Sequence, residues 1–168
     1  MKHIIIVGSQ GVGKSTLIKM ILDELKLPVY GFITRKEPEN EDGAAEVYIH
    51  KAGEKPGYSP SNRIGICRNF KGTGFSEVFD AHAGLIRGLP KDGVVLMDEL
   101  GTMEREALRF QTAVMDALDE YPLVIAAVRD RENEFLYRVR GHERARCFFI
   151  TPENRDELFE QVMRSLRE

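Results

Sequence analysis

Residues 8–16 read GSQGVGKST, and within them Gly8, Gly13, Lys14 and Ser15 satisfy the spacing G-x-x-x-x-G-K-[ST]. That spacing suits one task, holding a chain of phosphates. The glycines let the backbone curl so that the N–H groups of Gly8, Ser9, Gln10, Gly11, Val12 and Gly13 can turn towards one anionic centre. A helix starting immediately afterwards adds the positive end of its dipole. Lys14 is placed to reach the outer phosphates, and the Ser15 hydroxyl to sit on Mg²⁺. Thr16 either bonds an outer phosphate or supports the first helical turn.

A second acidic stretch, VVLMDELGTME, spans residues 94–104. An apolar strand running into Asp98 and Glu99 suggests a carboxylate that holds Mg²⁺ through water (Asp98). Glu99, one residue further on, is then placed to orient and deprotonate an attacking water. The plainer alternative is an acidic pair solvated at a turn. Asp98 to Gly101 also matches D-x-x-G, the switch pattern of regulatory GTPases, but that reading requires a later N-K-x-D, and the chain contains none. Gly101 reads as a turn that lets the chain leave the strand, and as part of the nucleotide site. Glu104 reads as an acidic residue in the first turn of a helix, with a supporting role beside the site as the alternative.

Six arginines lie between 129 and 146, at 129, 131, 138, 140, 144 and 146. Most suit a solvated amphipathic helix paired with Asp130, Glu132, Glu134 and Glu143. One or two could neutralise charge on a phosphoryl group in transfer. Arg129 is the first choice because it sits nearest the carboxyl end of a strand, where ligands of open parallel sheets bind; Arg131 and Arg138 follow.

The elements that must position these groups alternate. Short β-branched or apolar runs at Ile4–Val7, Val29–Thr34, Val94–Met97, Leu123–Val128 and Cys147–Ile150 read as strands. Helical periodicity follows at Leu17–Leu25, at Val78–Leu89 behind a Ser76 cap, at Ala107–Ala117, and at Phe159–Leu166 behind Asn154, whose spacing to Glu157 fits a capping box. The expected fold is α/β: a mostly parallel twisted sheet with helices on both faces, in one domain over 1–168. Residues 37–75, broken by Gly, Pro, Ser and Asn, read as a β-hairpin excursion.

With a net charge of −3, the chain has no global basic field for nucleic acid or an acidic membrane. Aromatic residues in and near the excursion (Tyr30, Tyr48, Tyr58, Phe70, Phe75) have acidic neighbours, which argues against nucleic-acid binding. The apolar run at the N-terminus is too short for a leader or a membrane span. Cys67 and Cys147 read as free thiols. These features lead to the expectation of a cytoplasmic monomer. His82 reads as a core or boundary residue, and Met97 and Met103 as packing groups.

GSQGVGKST, GFITR (31–35), MDELGTME (97–104) and TPENRD (151–156) occur in that order. Together they resemble the small P-loop nucleoside-triphosphatase family known from thermophiles and from a human cancer-related homologue. The resemblance spans nearly the whole chain. It implies a fold similar to RecA-like and nucleotide-kinase-like P-loop proteins, and base-promiscuous, Mg²⁺-dependent hydrolysis of ATP, GTP and other NTPs to NDP and phosphate. It also implies a nucleotide site built from the phosphate loop and residues 94–101. In related folds the loop after the last strand passes near the base, which brings in Thr151 to Arg155, although Asn154 serves equally well as a helix cap. The middle of the chain departs from the family pattern, with the acidic stretch 37–42 intervening before Arg63.

The leading expectation is therefore an NTPase acting through Lys14, Glu99 and Arg129. One rival is a nucleotide or nucleoside kinase that passes the γ-phosphoryl group to an unidentified acceptor, with Arg35 and the excursion lining the acceptor pocket. The other is a nucleotide-gated adaptor with little turnover.

Overall fold

The computed structural model describes residues 1–69 and 71–168, so Phe70 lies outside the described residues. The elements run β1 (His3–Gly8), α1 (Lys14–Leu25), β2 (Val29–Lys36), β3 (Ala44–Lys51), β4 (Arg63–Arg68), β5 (Lys71–Gly74) and α2 (Ser76–Ala81). They continue through a 3₁₀ turn (Ala83–Ile86), β6 (Val94–Leu100), α3 (Leu108–Glu120), β7 (Val124–Arg129), α4 (Glu134–Arg140), β8 (Ala145–Phe149) and α5 (Arg155–Arg167).

The strands form one 8-stranded sheet in the order β5-β4-β3-β2-β6-β7-β1-β8. From β2 to β8 every neighbouring pair is parallel, and from β2 outwards through β3, β4 and β5 every pair is antiparallel. The excursion is therefore an extension of the main sheet rather than a separate hairpin. Its third strand, β5, was not expected, because KGTG carries no β-branched pair to announce it.

Side-chain alternation divides the core. Ile5 and Val7 of β1 face one layer with Phe79, Phe110 and Phe135 from α2, α3 and α4. Ile4 and Ile6 face the other, with Leu17 and Ile18 of α1 and Leu158 and Val162 of α5. Because β1 is covered on both faces, its apolar run is continuous rather than alternating. Burial of each such Ile, Leu or Phe contributes about 1.5–3 kcal/mol.

Two expected helix starts differ in detail. Ser76 is the first residue of α2 rather than its cap: Phe75 takes the cap position, and the helix ends at Ala81 before a separate 3₁₀ turn. There the His82 ring Nδ1 lies 2.7 Å from the Val78 carbonyl, which fits a boundary role. Asn154 does precede α5, but its side chain makes no capping bond, so the capping box with Glu157 does not form. No helix among the described residues is long and apolar enough to cross a membrane.

Candidate active site

The strand order decides which residues meet. β7 lies between β1 and β6, so the carboxyl ends of three parallel strands converge on one edge. In register, Gly8 sits opposite Arg129 on one side of β7, and Leu100 opposite Val128 on the other. The acidic strand is therefore one strand removed from the phosphate loop rather than beside it. Arg129 sits in the gap. Of the six arginines, Arg129 is the one paired in register with the phosphate-loop glycine Gly8.

The phosphate loop has the conformation that its glycines permit. Gly13 has φ of 108°, a left-handed value that disfavours any side chain, and it leads directly into α1 at Lys14. Lys14 is buried, and its Nζ donates to the carbonyls of Gly8 at 2.8 Å and Ser9 at 2.7 Å. The same amine lies 3.3 Å from Glu99 Oε2. The other Glu99 oxygen, Oε1, accepts from Arg129 Nη2 at 3.0 Å. Glu99 thus bridges the loop lysine and the strand-end arginine. The register of β6 against β7 shifts between Asp98 and Leu100, which sets Glu99 out of the regular ladder. Its backbone N–H donates to Thr34 Oγ1 of β2 at 3.2 Å.

Asp98 is 9% exposed, and burial pushes its carboxyl above the usual range, against the hydrogen bond from Ser15 that favours the charged form. Glu99 nearby adds to the rise, and Lys14 opposes it. A buried carboxylate hydrogen-bonded to a serine hydroxyl at a helix start is a pair of hard oxygen donors, and it fits Mg²⁺.

Glu104 departs from expectation. Helix α3 begins only at Leu108, so Glu104 is not a first-turn residue. It is 2% exposed, and its Oε1 accepts the Gly101 N–H at 2.8 Å. Desolvation raises its carboxyl to about 7. Its backbone carbonyl accepts from Gln111 Nε2 at 2.8 Å. Glu104 therefore holds the loop leaving β6. Gly101 is buried with its N–H engaged by Glu104, and it lies against the Arg129 guanidinium. The nearest sequence signal for Glu104 was its place six residues after Asp98, which looks the same in a solvated helix start.

Met103 in the same loop packs against a floor of glycines, Gly65, Gly72 and Gly74 on β4 and β5. A side chain at any of the three would meet Met103 too closely, so the excursion and the β6 loop are fitted to each other. Met103 and buried Met97 both pack, as expected.

The other arginines mostly serve structure. Arg140 approaches Asp130 at 3.5 Å, and Arg146 bonds Ser165 Oγ and Glu168 at 2.8 and 2.9 Å. Arg131 and Arg138 are exposed and do not reach the cavity around Glu99. Arg63 pairs with Glu46 within the excursion at 2.9 Å. Arg35 lines a different groove, between α1 and β2. The Asn154 amide is used within its own loop, accepting from the Thr151 N–H at 2.8 Å and donating to the Phe149 carbonyl at 2.9 Å. Two side chains from this region do approach the phosphate loop: Ile150, whose Cγ2 lies 2.7 Å from where a Gly8 Cβ would stand, and Arg155 at the start of α5, whose Nη1 lies 3.7 Å from where a Gly13 Cβ would stand.

The chain is similar to known proteins over nearly its whole length. The chain is 30% identical over 173 residues to the nucleoside-triphosphatase THEP1 of Aquifex aeolicus, covering 95% of this chain and 96% of that one. It is 29% identical over 176 residues to the THEP1 nucleoside-triphosphatase of Methanocaldococcus jannaschii, covering 98% and 96%. Two solved structures share the fold: the crystal structure of Aquifex aeolicus THEP1 (TM-score 0.64, 23% identity, 99% of each chain) and the solution structure of a human cancer-related nucleoside triphosphatase (TM-score 0.67, 24% identity, 99% and 97%). A family model described as NTPase matches residues 3–163, and the chain belongs to the NTPase family.

Proposed function

We propose that, in the nucleoside-triphosphate hydrolysis that family membership assigns to this chain, Glu99 is the general base and Arg129 the group that stabilises the transferring phosphoryl. The observation that carries this reading is the Lys14–Glu99–Arg129 bridge at the carboxyl ends of β1, β6 and β7. Backbone N–H groups of residues 8–13 and the N-terminus of α1 cradle the β- and γ-phosphates. Lys14 reaches the γ-phosphate and draws it towards Glu99. Ser15 and Asp98 are the residues that would hold Mg²⁺. Bound there, the metal would neutralise charge on the β- and γ-oxygens.

Glu99 accepts a proton from a water in line with the γ-phosphorus. The water oxygen bonds to phosphorus as the bond to the bridging oxygen breaks, giving NDP and phosphate. Arg129 lies within reach of both the carboxylate and the developing charge. Thr34 and Glu104 position the base, one through the Glu99 N–H and the other through the Gly101 loop. The Asn154 amide makes one bond at each end within its own loop, which supports a structural role for it over dedicated reading of a base.

The test is phosphate release from ATP, GTP, CTP and UTP with Mg²⁺ and no added acceptor. The expected rates fall within about tenfold of one another, since discrimination between bases needs dedicated polar contacts. Strict dependence on one base would overturn the promiscuous reading.

A further inference from the structure

A water that attacks phosphorus must point a lone pair along the line of attack, so both of its hydrogens need acceptors. Glu99 supplies one of them. The second has to be a group in the same cavity that is not already engaged. Ser15 is hydrogen-bonded to Asp98 where Mg²⁺ would be held. Thr34 Oγ1 accepts the Glu99 N–H at 3.2 Å, and the buried Glu104 carboxyl accepts the Gly101 N–H at 2.8 Å. Gln10 differs from these. It lines the cavity beside Glu99 and Arg129, and it does so from the phosphate loop itself. The bonds within that loop pass its side chain by: the Val12 N–H donates to the Ser9 carbonyl at 3.4 Å, and Lys14 Nζ to the Gly8 and Ser9 carbonyls. The Gln10 side chain is exposed, and its amide has no partner among the described residues. Because its backbone belongs to the phosphate cradle, the side chain stays next to the γ-phosphate of a bound nucleotide.

We propose that Gln10 is a further catalytic residue, whose side-chain amide holds the attacking water against the γ-phosphoryl group. The inference rests on Glu99 being the base. A neutral amide carries an acceptor and a donor side by side. The Gln10 Oε1 accepts one hydrogen of the water while Glu99 accepts the other. The Gln10 Nε2 donates to an oxygen of the γ-phosphoryl group, so one side chain spans both reactants. The water oxygen then bonds to the γ-phosphorus as its proton passes to Glu99. The bond from that phosphorus to the β–γ bridging oxygen breaks, and NDP leaves. The hydrogen held by Gln10 stays on the phosphate that forms, and the proton on Glu99 passes to solvent. A glutamine orients the attacking water in other phosphate-loop enzymes, so the chemistry of the residue type suits the task.

The test is single-turnover phosphate release from ATP with Mg²⁺ by the full chain carrying Gln10→Met, which keeps the length of the side chain and removes both ends of the amide. The rate should fall about tenfold to a hundredfold, as expected when a reacting group loses its alignment. ADP affinity, read by titration, should stay within about twofold, because the backbone cradle is untouched. Gln10→Asn sets the amide one methylene short and should lose rate to the same extent; it also serves should Gln10→Met fold poorly. A rate within twofold of the parent overturns the proposal, and a matching fall in Thr102→Val would then give the second acceptor to Thr102, which lines the same cavity. A loss of ADP affinity as large as the loss of rate overturns it too, since the side chain would then serve the grip of the loop. Full activity in Glu99→Gln removes the base itself, whereas an inactive Glu99→Gln beside a fully active Gln10→Met rejects Gln10 alone, so the two failures are distinguishable.

Discussion

The sheet carries a polar cluster at each end, and the two are built differently. At the amino ends of β1 and β7, His3 is fully buried; its Nε2 lies 2.7 Å from the Leu118 carbonyl and its Nδ1 accepts from the Val124 N–H at 3.0 Å. Beside it the Arg144 guanidinium donates to the carbonyls of Leu118, Asp119, Tyr121 and Pro122, closing the carboxyl end of α3. His142 pairs with Asp119 at 2.8 Å. Here the polar side chains serve backbone groups, and the cluster is complete. At the carboxyl ends, Glu99 ties Lys14 to Arg129 side chain to side chain, Asp98 is buried at a cost, and the Arg129 Nε has no partner among the described residues. An incompletely satisfied buried cluster is expensive, and a ligand can complete it. The amino end is finished as a fold-holding cluster, and the carboxyl end, left incomplete, is the one proposed to do chemistry.

Mutations should respect that division. Lys14→Ala should have the largest effect, a loss of about a thousandfold or more in turnover with weaker nucleotide binding, read by phosphate release and nucleotide titration. Glu99→Gln keeps the shape and loses the base; turnover should fall about 10²- to 10⁴-fold while nucleotide affinity stays within severalfold. Full activity in that variant would remove Glu99 as the base. Arg129→Ala should cost about a hundredfold, mainly in kcat. If Arg138→Ala does this instead, the assignment within the arginine segment is wrong.

The opposite end should change stability and leave kcat alone. Burial holds His3 down at about 4, and protonation would put a donor where Nδ1 accepts from Val124. In the unfolded chain the ring takes up its proton near 6.5, while the folded chain does not until about 4. Stability is therefore fully present above 6.5 and is lost as the pH falls towards 4, by about 2–3 kcal/mol. Urea melts across this range isolate the His3 contribution by difference: His3→Phe should lose less stability than the parent protein as the pH falls from 6.5 to 4, against a common background that includes the opposite slope of buried Glu104. Arg144→Ala should cost about 1–2 kcal/mol in the same melts, since its carbonyl partners are left to water. A large kcat effect from either change would break the comparison.

Much of the carboxyl-end cluster was legible in the chain. GSQGVGKST has one physical use after a strand, and Asp98-Glu99 closes an apolar run. Arg129 could be ranked because it falls at a strand end. What stayed hidden depends on long-range pairing. The placement of β7 between β1 and β6 is a matter of strand order, which periodicity does not encode. Glu104 looks like any acidic residue near a helix until the core closes over it. Asn154 has a helix-capping residue type in the right place, yet its amide is taken by the Thr151 N–H and the Phe149 carbonyl. The Gly65, Gly72 and Gly74 floor reads as turn chemistry in sequence, and only the docked Met103 shows that it is a packing surface.

The Lys14 ammonium has three N–H donors, and three acceptors already stand against it: the Gly8 and Ser9 carbonyls and Glu99. A nucleotide therefore reaches this amine by exchange and not by addition. With Glu99 as the base proposed above, a γ-phosphate oxygen that takes its place on Lys14 would free one side of its carboxylate as a proton acceptor becomes necessary, Arg129 still holding the other oxygen. On the same proposal, a diphosphate would leave that donor to Glu99 again, so the resting ion pair would favour departure of the product.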